Sequence, residues 1–329
     1  MVAPLSPVAR TLSSALLYAP GAFFFYPWKP LMNALVGDSY GVAYAHFRRD
    51  HSDPLNLVLH LVCLALQVLG NFGLLGYADT IAPPLPFAGA LPPVLAARWV
   101  SALTAATWAM QLGAQPAPLF ATALSVASIG GAFLAAPHLA ASELDAGCSA
   151  LFVAAILLGL VLPNRRHGRC KAATEVAVDV LKALAVLGLL ASARALPQSP
   201  SFGMGGTLVA DAATPVAALL LLVFLAACLP LPIIPTVVAG ALGTRVVHAL
   251  TAQEPLLYWG CAFSAMVLQG RAHDISHQEA TLLNLEGVAD KDKKLRFEWA
   301  HVCFFPSLLW HSIWDSAMAG SPVAAKKAN

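Results

Sequence analysis

Residues 51–78 read HSDPLNLVLHLVCLALQVLGNFGLLGYA. From residue 54 onward this run is almost wholly apolar and long enough to cross a bilayer, which takes roughly 20 apolar residues as a helix. Its mouth is polar. Asp53 is a good helix N-cap and Pro54 a good first-turn residue, so the spacing predicts a helix that starts at 54. Asn56 and His60 stand four apart and share one face of that helix. His51 lies just outside the cap, able to fold back toward the same mouth.

The rest of the chain has the same character. It has 329 residues, 58% apolar and only 11% charged, with a mean hydropathy of +0.71. Soluble domains carry about 25% charged residues. Further apolar segments run at 88–112, 117–137, 146–163, 174–196, 207–229, 231–252, 255–272 and 299–318, separated by proline- and glycine-rich stretches. A lipid-exposed backbone must satisfy its own hydrogen bonds, and no alternating ten-residue segments suggest a barrel. The expected fold is therefore all-α: a polytopic transmembrane helical bundle of about eight spans plus a broken C-terminal helix, with Pro306 in its middle.

Three parts follow from this reading. Residues 1–45 form an N-terminal interfacial segment, with Tyr26 and Trp28 at headgroup depth. Residues 46–319 form one membrane-embedded helical domain, its motif-bearing halves 46–78 and 255–318 flanking inserted helices at 88–252. Residues 320–329 form a cytosolic tail. The net charge of +2 and the lack of a basic run with interleaved aromatics argue against nucleic acid as a partner. The apolar, charge-poor composition makes the lipid bilayer the expected partner. Six scattered cysteines without a CxxC pair indicate neither a disulfide framework nor a thiolate zinc site.

Orientation follows from the basic loop PNRRHGRCK at 163–171, which positive-inside logic places in the cytosol. Counting spans puts the polar cluster at 46–53, the stretch RAHDISHQE at 271–279 and the basic loop at 291–296 on the same side. Lys326 and Lys327, fourth and third from the end, resemble a di-lysine retrieval signal of the endoplasmic reticulum. The expected location is therefore the endoplasmic reticulum membrane, multi-pass, with the site on the cytosolic side.

That face carries the chemistry. In QGRAHDISHQE, Gln269, His273 and His277 are spaced four and four and form one polar stripe on a helix. With His51 and His60 they give four imidazoles at two helix mouths, flanked by Asp50, Asp274 and Glu279. Neutral imidazole is a common ligand for iron and zinc, and carboxamides such as Asn56 and Gln269 suit support of ligands or substrate. Ionisable groups at membrane depth are costly and usually functional. Isolated His138, His167 and His248 read as structural or surface residues; His301 and His311 stay undecided. There is no GxSxG elbow, P-loop or dinucleotide-binding GxGxxG. HDISH matches one histidine box of membrane di-iron hydroxylases, but the chain lacks the His-His pairs their other boxes require.

The pattern His51, Pro54, Asn56, His60, followed by Gln269, His273 and His277, resembles the two motifs of the 2-hydroxy fatty acid dioxygenase family, small endoplasmic-reticulum membrane proteins known from fungi. Tyr44 sits near where that family carries aromatics. Ser52 stands where the family has a second histidine, His277 where it has an acid, and the insertion between the motifs is long. The resemblance implies an iron- and oxygen-dependent oxidoreductase of lipid metabolism. Such an enzyme uses Fe(II) and O₂ to shorten a 2-hydroxy fatty acid by one carbon, an α-oxidation step in sphingoid-base breakdown. It implies His51, His60 and His273 as iron ligands, with His277 as a fourth ligand or an acid–base group. Asn56 and Gln269 would orient ligands or substrate. The rival readings are another metal-dependent membrane enzyme, such as a zinc hydrolase, and a non-enzymatic transporter or scaffold.

Overall fold

The computed structural model describes residues 5–18, 24–140, 256–276, 278 and 290–319. Among them all regular structure is helical, with no strand: nine α-helices and a 3₁₀ turn at Ala88–Ala90. The helices are α1 (Pro7–Tyr18), α2 (Trp28–Val36), α3 (Tyr40–Asp50), α4 (Pro54–Ile81), α5 (Pro93–Ala97), α6 (Trp99–Gly113), α7 (Leu119–Ala140), α8 (Leu256–Ser276) and α9 (Lys291–Ala319). The apolar segments between 146 and 252, the basic loop at 163–171, His167, His248, His277, Glu279, and Lys326 and Lys327 lie outside the described residues. So does the side chain of Asp274.

Helix α4 begins as its sequence requires. The Asp53 carboxylate accepts from the Asn56 N–H at 3.0 Å, and Pro54 occupies the first turn, where its missing N–H costs nothing. The helix ends at Ile81, before Pro83 and Pro84. Polar residues along it have long-range work. Asn71 accepts from the Phe25 N–H at 2.9 Å and donates to the Gln67 carbonyl. Asp79 caps α6 from outside, accepting from the N–H groups of Val100 (2.7 Å) and Ser101 (3.2 Å) and from the Ser101 hydroxyl. Such pairing lets an apolar helix carry a carboxylate near its end.

Helices α4 and α8 run antiparallel and nearly touch. A Cβ on Gly70 would lie 2.7 Å from both the Ala262 nitrogen and the Tyr258 carbonyl, and one on Gly73 would strike the Tyr258 ring. Small residues permit this approach, and the dispersion it gains offsets the roughly 1 kcal/mol each glycine costs in helix propensity. Tyr258 then donates to the Ala136 carbonyl at 2.6 Å, tying α8 to α7.

Helix α9 packs against α1, α2, α3, α4 and α7. Trp299 donates to the Ser13 hydroxyl at 2.8 Å, and Asp292 receives Arg10 and the Leu5 N–H. The C-terminal segment is not broken: α9 is one 29-residue helix with Pro306 inside it, and it starts well before the apolar run at 299. The proline deprives one carbonyl of its helical donor, but the helix is buried on both sides of it, from Phe297 to Leu309, and packing carries it through.

Two described helices, Pro54–Ile81 and the stretch Leu119–His138 of α7, are long and apolar enough to cross a membrane. The run at 88–112 is not one span. Pro92 and Pro93 divide it into the 3₁₀ turn, α5 and a 15-residue α6. On the outer face of α4, Leu55, Val58 and Val62 are exposed at helical spacing, opposite the buried Asn56 and His60.

Candidate metal centre

Three helix ends meet around a small polar point in this apolar bundle. His51 is the residue that ends α3. Its ring stacks on Phe47, one turn earlier, with centroids 3.7 Å apart and planes 3° from parallel. Its Nδ1 lies 2.9 Å from the Phe47 carbonyl oxygen, and its own carbonyl accepts from Arg48 at 3.1 Å. His51 is thus held by its own helix. His60, two turns into α4, repeats the arrangement: its Nδ1 lies 2.9 Å from the Asn56 carbonyl. A carbonyl can only accept, so in both rings Nδ1 carries the hydrogen and Nε2 keeps a lone pair.

His273, in the last turn of α8, completes the group. Metal-ligating nitrogens of His51, His60 and His273 all lie within 4.8 Å of one another. The ring centroids are 4.6, 4.7 and 4.9 Å apart, and the ring planes cross at 85°, 78° and 80°. The rings approach from three nearly perpendicular directions. All three residues are buried, at 1%, 0% and 8% exposure. His60 Nε2 is buried without a hydrogen-bond partner. A dry, unpartnered lone pair among imidazoles is costly for a protein to keep, and a metal bonded at about 2.0–2.1 Å would satisfy it after a slight inward movement of the rings. The residues present therefore fit a metal ion.

Electrostatics agree. Burial, and then the neighbouring imidazoles His60, His273 and His301, push the His51 pKa well below the usual histidine range. The ring is neutral at physiological pH, the form that binds metal.

The supporting residues are partly those the sequence pattern names. Asn56 lies beneath His60: its carbonyl orients that ring, and its amide donates to the Ser276 hydroxyl of α8 at 2.9 Å. Its Oδ1 is buried without a partner. Gln269 is buried one turn before His273, its Oε1 likewise without a partner. Ser52 accepts from the Gln278 side-chain amide at 2.7 Å, and the Gln278 Oε1 accepts from the Asp53 N–H at 3.3 Å. Ser52, Ser276 and Gln278 lash the end of α8 to the start of α4. Nothing in a linear pattern marks such pairings. Phe47 also supports the site, and its position four before His51 is the signal of helical stacking.

His301 reaches the neighbourhood from α9. It is buried, 5.6 Å from the Phe47 ring and 6.5 Å from the Phe305 ring, and its Nδ1 has no hydrogen-bond partner. It is not among the converging three. His311 belongs elsewhere: it stacks on Tyr44 at 3.8 Å, its Nδ1 is 3.1 Å from the Tyr40 hydroxyl, and Tyr44 donates to Asp315. His138 is exposed at the end of α7. Cys63, Cys261 and Cys303 are in no disulfide, and the first and last are buried.

The structure thus brings together His51, His60 and His273, places Asn56 and Gln269 beside them on the same helices, and does not describe His277. No protein-family model, curated protein or solved structure matches the chain, so the three-histidine geometry is what its function must be argued from.

Proposed function

We propose that the chain is a metal-dependent membrane oxidoreductase, an Fe(II)-dependent dioxygenase that shortens 2-hydroxy fatty acids by one carbon. The observation that carries this reading is the convergence of three buried imidazoles from α3, α4 and α8. The resemblance of their sequence motifs to the dioxygenase family supplies the metal, oxidant and substrate class. Two membrane-length helices and the exposed apolar stripe on α4 support a site reached from a lipid phase.

The net reaction is R–CH(OH)–COOH + O₂ → R–COOH + CO₂ + H₂O. The α-carbon becomes the new carboxyl, C1 leaves as CO₂, and the four electrons removed reduce O₂. Bound iron supplies Lewis-acid and one-electron chemistry toward O₂ and the hydroxy acid. The chain's own residues do the rest. Phe47 and Asn56 carbonyls fix the His51 and His60 tautomers so that Nε2 faces the centre. The unpartnered Oδ1 of Asn56 and Oε1 of Gln269 are acceptors suited to a substrate hydroxyl. Phe47 and Phe305 pack against the histidines and exclude water. His277 remains the fourth ligand or acid–base group of this proposal, on the resemblance alone. Location in the endoplasmic reticulum membrane, about eight spans and a cytosol-facing site belong to the same proposal.

The test is anaerobic purification, metal analysis, and turnover of 2-hydroxypalmitic acid with O₂ uptake. One iron per chain, a C15 acid and CO₂ are expected, all lost in His60→Ala. Activity with zinc and indifference to oxygen would transfer the site to a hydrolase. Full metal content in His60→Ala would remove the site.

A further inference from the structure

A second polar cluster, built around a tyrosine, joins α3 to α9. Tyr44 donates its hydroxyl to the Asp315 carboxylate at 2.5 Å. Its ring stacks on His311, with centroids 3.8 Å apart and planes 9° from parallel. His311 is held in turn: its Nδ1 lies 3.1 Å from the Tyr40 hydroxyl and its Nε2 3.8 Å from Asp315. Tyr40 and Tyr258 aim their own hydroxyls at the backbone carbonyls of Ser307 and Ala136. A carbonyl accepts a hydrogen bond but does not take up the proton; a carboxylate does both. Tyr44 therefore has what those two tyrosines lack, a base already in place. Burial, and then the bond to Asp315, push the Tyr44 phenol above its usual range, so at rest it keeps its proton.

The cluster lies close to the histidine centre. Tyr44, Phe47 and His51 follow one another down one face of α3, and Phe47 stacks on His51 at 3.7 Å. Tyr44 and His51 are about 10 Å apart along the helix axis. At its other end the cluster opens to solvent, with the Asp315 side chain 42% exposed. The proposed net reaction draws all its electrons from the hydroxy acid. Where O₂ is activated without that substrate, the electrons must come from the protein. We propose that Tyr44 is a redox-active tyrosine that drains oxidising equivalents from the histidine centre when no substrate is bound. The inference rests on the iron-and-oxygen reading of that centre. One electron leaves the Tyr44 ring for the iron-and-oxygen oxidant, which is reduced by one electron. The phenolic O–H bond breaks and its proton goes to Asp315, leaving a neutral phenoxyl radical and a carboxylic acid. A soluble one-electron reductant such as ascorbate returns the electron, and Asp315 returns the proton. His311 and Tyr40 fix the ring, so oxidation needs no rearrangement.

The test uses full-length protein in nanodiscs, loaded with Fe(II) anaerobically. It is mixed with O₂ without substrate and freeze-quenched for electron paramagnetic resonance. The parent should show a phenoxyl radical whose spectrum narrows with ring-deuterated tyrosine, and Tyr44→Phe should not. Asp315→Asn keeps an acceptor oxygen but cannot take the proton. Its radical should form roughly 100-fold more slowly, the low end of what a positioned proton acceptor contributes. With substrate present, the initial rate and iron content of Tyr44→Phe should match the parent. After exposure to O₂ alone it should lose activity severalfold faster, and ascorbate should protect only the parent. A second arm separates this inference from the reading of the centre: metal-free protein is oxidised with photogenerated tris(bipyridyl)ruthenium(III). The radical that Tyr44→Phe removes should again depend on Asp315. Success in that arm without iron or oxygen uptake would sink the dioxygenase reading, and the drain with it, while leaving Tyr44 a redox site. A radical that persists in Tyr44→Phe, an unchanged rate in Asp315→Asn, or inactivation no faster than in the parent would overturn the proposal.

Discussion

The carbonyl of Asn56 holds the His60 ring at 2.9 Å, while the side chain of Asn56 reaches Ser276 on α8 at the same distance. One residue therefore orients a donor on α4 and fastens the helix that brings the third donor. Removing the side chain leaves the carbonyl, so Asn56→Ala should keep the His60 tautomer and loosen the α4–α8 junction. A 10–100-fold loss of metal affinity is expected, in the range of outer-shell changes, with about 1–3 kcal/mol of stability. Metal titration and thermal unfolding of the same sample measure both. Unchanged affinity would confine Asn56 to packing.

The glycines of α4 are not equivalent. Gly70→Val places side-chain atoms where the α8 backbone already lies, and should destabilise by several kcal/mol, as overpacking does at its upper end. It should also abolish metal binding, because His60 and His273 meet only if the helices do. Gly76 has open space at its Cβ position, so Gly76→Ala should be neutral or stabilise by up to about 1 kcal/mol. Denaturation midpoints and metal content of the pair check this.

Lys29 gives a pH signature outside the apolar spans. It is fully buried on α2, its Nζ 5.7 Å from the Tyr26 ring, and burial lowers its pKa to about 7. The unfolded chain keeps the lysine protonated up to about 10.4. Between those values the unfolded state binds more protons, so stability rises as pH rises from 7 toward 10 and is lost as pH falls back. Lys29→Met should be more stable than the parent at pH 7, and its melting temperature should be flat over that window. A parent curve that is already flat would refute the assignment.

Tyr44 and His301 test the border of the centre. Tyr44→Phe removes the bond to Asp315 and should cost on the order of 1 kcal/mol without changing metal content. His301→Phe should also retain metal stoichiometry, since His301 is not among the converging nitrogens. Loss of metal in either variant would enlarge the site.

Local signals in the sequence carried far. Asp53–Pro54 started α4 where its chemistry predicts, and the four-residue spacings put His60 and His273 on inward faces because helical periodicity is set by the backbone alone. What escaped was non-local. The charged stretch KDKKLRFEWAH hid the first turns of α9, because hydropathy alone does not register a polar helix start. Pro306 looked like a break because its neighbours' packing is invisible in one dimension. Pro92–Pro93 could be seen, but not that they would leave α6 too short to span. Nor could the sequence say that Asp79 caps a helix twenty residues on, or that Ser52 would meet Gln278.

The order in which the donors are made has its own consequence. His51 and His60 are close in the chain and sit beside each other, but a pair of imidazoles is only part of a three-nitrogen site. His273 follows far later in the chain, and α8 must pack against the glycines of α4 before it joins them. A metal that needs all three nitrogens would therefore bind only after α8 has docked on α4. An ion bound at this centre would report that α3, α4 and α8 have found one another.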